Sequence, residues 1–542
     1  MTKQDLLPIT FLPSGTTAWA HEGETLFDVA ARAGVPIARP CGGAGVCGKC
    51  RVRAHSGLAG PTETERRLLD EAALAEGVRL ACAAVVTGAA EVTVIDGATK
   101  KSPILAGLAS EITDWAPDAS GHGIAVDIGT TTVVTYLLDL EAGRVVDAFS
   151  FLNPQIPFGD DVISRIAYSS TEGGLKRLQA VLIDGLNGAF AAMTAKNGLS
   201  LEAVTQVTIA ANTVVQHLFA GVSPQSIGVS PYEPAYRYRP PLEAASLGLK
   251  IAPGGQVKLL PNVAGYVGSD IVAGVAATAM ADEKALRLLI DIGTNNEIVL
   301  GNRDGLYCCA AAAGPAFEGA RVGQGMRAAD GAIERVLLVD DHLVVETIGD
   351  EPPRGICGSG LVDVLALLVQ EGVIDRRGRM ADPDRCDHPA FADRLDRDGR
   401  GIVRLLLTDR DHPVYFSQKD VRELQLALGA IRVGVEVLLE HYGATVDAVD
   451  EIFLAGAFGN YIDHESAVAV GLLPPVRLER IRSVRNTAGL GAVMALASAS
   501  FFENTRTVAE RMTYIELSSL SDFQKRFVGA MFFEKPGGHR DG

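Results

Sequence analysis

Four cysteines stand where they can share one inorganic cofactor: Cys41, Cys47 and Cys50 lie in one short run, and Cys82 follows in Leu80-Ala81-Cys82. The spacing C-x5-C-x2-C with a distant fourth thiolate suits a [2Fe-2S] cluster, three of whose ligands come from a single loop. Gly42, Gly43, Gly45 and Gly48 fall between these ligands. Without side chains there, backbone N–H groups can approach the sulfurs and offset their negative charge. Structural zinc normally uses two short C-x2-C knuckles, which this glycine-rich loop does not reproduce. Cys41, Cys47, Cys50 and Cys82 are the expected cluster ligands.

A second chemical signal comes from comparing the chain with itself. Gly123-Ile124-Ala125-Val126-Asp127-Ile128-Gly129-Thr130-Thr131-Thr132 is echoed by Leu288-Leu289-Ile290-Asp291-Ile292-Gly293-Thr294-Asn295-Asn296-Glu297. In each copy an apolar strand ends in Asp, a glycine permits a tight turn, and Thr or Asn follows before a second strand. Such a loop offers N–H groups and hydroxyls to a phosphate, and its Asp can hold Mg²⁺ through water. One copy would also fit an ordinary hairpin turn. Two copies facing each other across a cleft would clamp the phosphates of one nucleotide.

The elements that must position these residues are legible in outline. Ile9-Thr10-Phe11-Leu12 and Thr17-Ala18-Trp19-Ala20 flank a Pro-Ser-Gly turn, and Thr25 to Gly34 has helical spacing ending in glycine. Hairpin, helix and cysteine loop in that order is the β-grasp arrangement of [2Fe-2S] ferredoxins, with one extra residue in the first cysteine gap relative to the plant type. The closing strand is Val92-Thr93-Val94-Ile95. A chain of 542 residues with 47% hydrophobic content has material for several cores beyond this domain. The expected division is a ferredoxin domain over 1–97, a linker over 98–121 that can tether a mobile redox head, a first lobe over 122–278, a second over 279–515, and a C-terminal helix and tail over 516–542. No run is expected to reach the apolar length of a membrane span, and Met1-Thr2-Lys3-Gln4-Asp5 lacks a signal-peptide pattern, so the expected location is cytoplasmic. There Cys308, Cys309, Cys357 and Cys386 read as reduced buried thiols. The net charge of −17 weighs against nucleic acid and anionic membrane as partners.

The paired loops resemble phosphate motifs one and two of the superfamily of actin, sugar kinases and heat-shock chaperone ATPases. Ile452-Phe453-Leu454-Ala455-Gly456-Ala457-Phe458-Gly459-Asn460 is similar to its adenosine motif, and the small-residue runs Ala264–Gly274 and Ala488–Val493 are similar to its connecting helices. Joined to a [2Fe-2S] ferredoxin domain, this architecture resembles the reductive activators of corrinoid proteins across nearly the whole chain. Ala313–Gly319, Gly355–Gly360, Gln418–Gln425 and Phe523–Phe527 carry that resemblance further. Gly121 runs almost directly into the first phosphate strand, which reads as a short form without an extra middle domain.

The resemblance implies a mixed α+β and α/β chain: a β-grasp ferredoxin domain, a linker, and a duplicated, two-lobed, actin-like (ribonuclease H-like) ATPase. It implies a [2Fe-2S] cluster, ATP and Mg²⁺ as cofactors, and a repair reaction in which one electron returns an inactive Co(II) corrinoid to Co(I). Plant-type [2Fe-2S] centres lie near about −400 mV, so that transfer is expected to be uphill and to need ATP-driven bias. The implied partners are a corrinoid protein or cobalamin-dependent methyltransferase, an upstream low-potential donor, and a second copy of the chain in a homodimer. Asp127, Gly129, Thr130, Thr131, Asp291, Gly293, Thr294 and Asn295 would hold phosphates and Mg²⁺. Gly456, Ala457 and Gly459, with Gly358 and Gly360 at a helix N-terminus, would border the nucleoside. Asn212, with Thr213, and Glu318 are the candidates for placing the attacking water, although Asn212 can equally cap a helix. His217 reads as a core histidine, and Glu297 either orients Mg²⁺ or ends a hairpin. Two other readings stay open: an ATP-driven electron carrier for a different low-potential acceptor, and a redox-sensing scaffold switched by nucleotide.

Overall fold

The computed structural model describes residues 6–12, 15–33, 35, 37, 50–69, 71–94, 112, 114–159, 161–293, 295–311, 314, 316, 317, 319, 321–459 and 461–533. Cys41, Cys47, Thr294 and Glu318 lie outside the described residues, as do 98–111 of the expected linker. The chain divides into two compact units, one of residues 1–101, 326–356 and 406–415, the other of 102–325, 357–405 and 416–542.

The first unit is built on a five-stranded sheet ordered β2-β1-β5-β3-β4. Its strands are β1 (Leu7–Leu12), β2 (Thr16–Ala20), β3 (Arg51–Arg53), β4 (Val78–Leu80) and β5 (Ala90–Val94). β1 pairs antiparallel with β2 and parallel with β5, which places the chain's first and last strands of this domain side by side at its centre. Ile9, Phe11, Val52, Leu80 and Val92 close on Leu26 and Val29 of helix α1 (Leu26–Arg32) in one core. The inserted residues add a three-stranded sheet of His342–Thr347, Ala332–Val339 and Gly355–Ile356.

The second unit contains the duplication, now visible as topology. Lobe one has β6 (His122–Ile128), β7 (Thr132–Asp139), β8 (Arg144–Leu152), β9 (Val204–Ala211), β10 (Leu242–Glu243) and β11 (Gln256–Leu259), ordered β10-β11-β9-β6-β7-β8. Lobe two has β12 (Arg287–Asp291), β13 (Asn296–Asn302), β14 (Gly305–Ala311), β15 (Glu451–Ala455), β16 (Ile481–Arg485) and β17 (Met512–Tyr514), ordered β16-β15-β12-β13-β14-β17. In both, the first strand pairs antiparallel with the second and parallel with the fourth, and the fourth pairs parallel with a further strand, β11 in lobe one and β16 in lobe two. The first strand of each lobe is therefore central, and its C-terminal end carries Asp127 or Asp291.

Helices fix these sheets. In lobe one, Leu182, Leu186, Phe190 and Met193 of α4 (Gly174–Lys196) pack on Ile124, Val126 and Leu137. That 23-residue helix contains an 18-residue window with a mean hydropathy of 1.2, so it is long and apolar enough to cross a membrane by length and composition, contrary to the sequence expectation. Its apolar face is buried on the lobe-one sheet, so it reads as a core helix. Between the lobes, α6 (Ser269–Ala277) and α9 (Thr487–Ala497) cross in close contact, because their small residues bring the backbones together. A Cβ on Gly274 would lie 2.7 Å from Thr487 Oγ1, and one on Gly491 would collide with the Ala273 carbonyl. The expected helix over 264–274 starts late, at Ser269, because Ala264 and Val267 form a bridge first. The apolar run 488–502 is broken at Ser498, which ends α9 and caps α10 (Ala499–Arg511) through its hydroxyl.

Part of the expected linker is docked on this unit. The Ala116 N–H bonds Ala497 O at 2.9 Å, Asp118 pairs with Lys258 at 2.5 Å, and Trp115 packs with Leu138, Leu140 and Phe502. At the other end, Arg526 of α11 (Phe523–Ala530) pairs with Glu436 and Glu440 of α8 (Gln418–Tyr442). Cys308, Cys309 and Cys357 are buried and outside any disulfide, as expected, whereas Cys386 is only half-buried.

Candidate functional site

In the first unit, Cys50 and Cys82 come together from the position just before β3 and from the turn after β4. Their sulfurs lie 3.3 Å apart without forming a disulfide, with Cys50 2% exposed. The two segments are tied by the Ala81 N–H to Cys50 O at 2.8 Å, and Leu80 O accepts from Ala83 and Ala84 to hold the Cys82 turn. The neighbouring Cys82 sulfur, outweighing the cost of burial, holds the Cys50 thiol low, at about 6. Two thiolates on one tetrahedral metal with bonds near 2.3 Å stand about 3.8 Å apart, so this pair fits two ligands of a shared iron with slight opening.

Behind the pair lies an ion pair that sequence reading missed. Glu65 of α2 (Glu63–Leu68) is fully buried and accepts from Arg79 Nε and Nη2, both at 2.9 Å, and from the Leu80 N–H at 3.0 Å. Burial would raise its pKa, but Arg79, Thr62 and Leu80 together hold it below the usual carboxylate range. This fork fixes β4 two residues before Cys82. Glu65→Ala should strand the Arg79 guanidinium and cost about 3–5 kcal/mol, as breaking a buried pair does. Urea unfolding followed by cluster absorbance measures that loss.

In the second unit, strand ends and helix starts converge. Asp127 and Asp291 close the central strands, Asp270 stands in the first turn of α6, and Glu297 faces Asp291 across the β12–β13 pairing at 8% exposure. Burial, followed by the Asp291 charge, pushes Asp127 up to about 7. Burial, Asp291 and Asp127 push Asp270 up to about 8, and burial pushes Asp291 up to about 6. Glu297 is raised by burial and by Asp270 and Asp291. Four acids repelling one another in a poorly solvated floor are a site lacking positive charge. Among the described residues no three acidic, His or Cys side chains converge closely enough to cage an ion.

The lobes meet at this floor. Asn486, the N-cap of α9, donates from Nδ2 to Asp127 Oδ2 at 2.8 Å and accepts the Gly489 N–H at 2.8 Å. Both crossing helices thus begin at the carboxylates, where their positive N-terminal ends favour an anion. Gly456 has φ +86°, and a Cβ there would lie 2.6 Å from Asp291 Oδ1. It opens the one-turn helix Gly456–Gly459 after β15, the place where Asn212 follows β9 in lobe one.

The sequence-derived residues sort unevenly. Gly129, Thr130 and Thr131 form the turn after β6, and Asn212 serves two ends: its Oδ1 caps α5 (Thr213–Phe219) at Val215 N, 2.9 Å, and its Nδ2 bonds Thr130 Oγ1 at 3.1 Å. Gly293 and Asn295 make the matching turn after β12. Gly358 and Gly360 are buried in the first turn of α7 (Gly358–Gln370), a helix that packs on the one following Gly456–Gly459, His464–Ala469. His217 is buried, gives its Nδ1 proton to Thr213 O at 2.7 Å and stacks on Tyr236, and burial lowers its pKa to about 4. Asp270, Asn486, Asn153 and Arg165 were missed. The last two hold the first loop from behind, and only α3 (Val162–Ser169), with its Asp161–Ser164 capping box, gave a local signal there.

Residues 9–87 match the family model of the 2Fe-2S iron-sulfur cluster binding domain, 122–283 the RACo middle region, and 285–539 the C-terminal ASKHA domain of RACo. The corrinoid activation enzyme RamQ of Eubacterium limosum is 35% identical over 450 residues, 81% of this chain and 75% of RamQ. The chain belongs to the RACo family. Another relative of this RACo-family chain, the [Co(II) methylated amine-specific corrinoid protein] reductase of Methanosarcina barkeri, is 24% identical over 71% of each chain. The solved reductive activator for corrinoid, iron-sulfur protein superposes with a TM-score of 0.68, at 30% identity over 98% of both chains. The middle-region match falls on the segment read as lobe one, so the family's middle region is present, where the sequence reading expected a form without one.

Proposed function

We propose that this RACo-family protein is an ATP-dependent reductive activator that returns the Co(II) of a corrinoid protein to Co(I), one electron per event. The observation that carries the reading is the pairing, in one chain, of a preformed Cys50–Cys82 sulfur pair with a duplicated cleft floored by Asp127, Asp270, Asp291 and Glu297. The relatives, a corrinoid activation enzyme in Eubacterium limosum and a Co(II) corrinoid protein reductase in Methanosarcina barkeri, point to the acceptor class. Cys41, Cys47, Cys50 and Cys82 would hold a [2Fe-2S] cluster, which when bound would supply single electrons at low potential and be reloaded by an upstream donor.

In the cleft, loops 129–131 and 293–295 would hold the phosphates of Mg-ATP, and Asp127 and Asp291 would hold its Mg²⁺. Gly456, Ala457 and Gly459, with Gly358 and Gly360, would border the nucleoside. Asp270 takes over the water-activating role first sought at Asn212 and Glu318. Its carboxyl accepts from the adjacent Ile271 N–H at 2.9 Å, and its pKa of about 8 lies close to neutrality, as a general base requires. Asn212, with its amide shared between a helix cap and Thr130, positions loop one instead.

The raised acids give a pH dependence with a definite sign. Groups whose folded pKa exceeds the unfolded value near 3.8 bind extra protons in the fold, so their contribution to stability is present in acid and lost as pH rises to about 8. The nucleotide-free protein should therefore melt lower at pH 8.5 than at pH 6. Mg-ATP, which replaces those protons with a cation, should raise the melting temperature more at pH 8.5, as differential scanning calorimetry would show.

The reading is tested anaerobically by mixing a Co(II) corrinoid protein with this protein, a reductant and Mg-ATP, and recording the visible spectrum. Growth of the Co(I) band only with both ATP and an intact cluster supports it. A reducible cluster and bound nucleotide without Co(I) from any corrinoid protein would shift the assignment to another low-potential acceptor.

A further inference from the structure

The first phosphate loop is gripped from behind through three successive carbonyls. Asn153 Nδ2 donates to Gly129 O at 2.9 Å, Arg165 Nη2 to Thr130 O at 2.5 Å, and the Asn153 backbone N–H to Thr131 O at 2.8 Å. In a trans peptide the N–H points opposite to the C=O. Tying the Gly129 and Thr130 oxygens toward Asn153 and Arg165 therefore turns the N–H groups of Thr130 and Thr131 the other way. Consecutive N–H groups turned to one side make an anion-binding concavity.

Arg165 is itself built in. It is fully buried in α3, its Nε donates to Gly159 O at 2.9 Å, and its Nη1 reaches Gln155 Oε1 at 3.3 Å. Gln155 is fixed in turn by Leu178 O at 3.0 Å and by its N–H to Asn153 Oδ1 at 2.9 Å. A guanidinium presents several donors in a rigid fork and stays charged at every working pH. A lysine at this position could not reach three acceptors in one plane.

We propose that Arg165 is a positioning residue for phosphate binding: through the Thr130 carbonyl it holds loop one in its anion-accepting form, and it places a permanent positive charge behind that loop. The inference rests on the nucleotide reading above and deepens it, because it separates recognition of the phosphates from recognition of the nucleoside. Arg165 touches no substrate in this scheme and acts only through the loop.

The test is isothermal titration of full-length, cluster-loaded wild type, Arg165→Met, Arg165→Lys and Asn153→Ala with Mg-ATP and, separately, with adenosine. Arg165→Met should bind Mg-ATP at least about tenfold more weakly, the scale of a lost bond to a charged donor, while its affinity for adenosine changes less than about twofold. Arg165→Lys should fall between, and Asn153→Ala, which frees the Gly129 carbonyl and the Gln155 N–H from the Asn153 side chain, should weaken Mg-ATP selectively too. Unchanged Mg-ATP affinity in the variants would overturn the proposal, as would parallel loss of both ligands, which marks a merely structural role. If Arg165→Met does not fold, the same comparison stands on Arg165→Lys and Asn153→Ala. A wild type that binds no Mg-ATP would overturn the nucleotide reading itself, an outcome seen before any variant is compared.

Discussion

Asp270→Asn should lower ATP turnover by about 10²- to 10⁴-fold, the range that a positioned general base contributes, while leaving Mg-ATP affinity within a few-fold. Asn keeps the shape of the side chain and the bond from the Ile271 N–H but cannot take a proton from water. It also removes one of the mutually repelling acids, so the substituted protein should be at least as stable as the original at pH 8. Steady-state phosphate release beside equilibrium nucleotide binding separates the two effects. Equal turnover in the two proteins would remove Asp270 from the chemistry and return the question to Asn212 and Glu318. The cluster should be untouched, and its absorbance serves as the internal control.

Cys50→Ser should leave the protein without a stable [2Fe-2S] centre and reduce Co(I) formation to background. Cys50 is 2% exposed, lies 3.3 Å from the Cys82 sulfur and carries a thiol held near pH 6, so it is a ready thiolate at a place where a serine hydroxyl would stay protonated. The visible absorbance of the purified protein and the EPR signal after reduction report the loss directly. Mg-ATP binding should persist, because the carboxylate floor is assembled from strands and helices of the second unit alone. A Cys50→Ser protein that keeps a full cluster signal would show that the ligand set differs from the one assigned.

Much of the ferredoxin domain was legible because its signals are local. Strand alternation, a helix ending in glycine and cysteine spacing are all written within about 40 residues, and β1, β2, α1 and β5 lie where those patterns put them. Glu65 and Arg79 carried no such mark. They become a pair only when α2 folds against β4 and shields both from water. The same holds for helix α4, whose composition alone would pass for a membrane span and whose burial on the lobe-one sheet makes it a core element.

The paired phosphate loops were legible for a further reason. Duplication repeats a short strand-turn pattern, and repetition is visible in one sequence where a single turn is not. The sheet orders of the two lobes repeat that pattern in three dimensions.

By itself the sequence determined the ligand cysteines' spacing, the two Asp-Gly turns and the small-residue runs that became α6 and α9, since each depends on backbone freedom or periodicity over a few neighbouring residues. Only the tertiary structure decided which acids share one floor, that Asn486 reaches Asp127 across 359 positions, and that Asn153 and Arg165 grip the first loop. Burial sets these roles: a carboxylate, an amide or a guanidinium takes its function from what excludes water around it, and that exclusion exists only after the two lobes have packed.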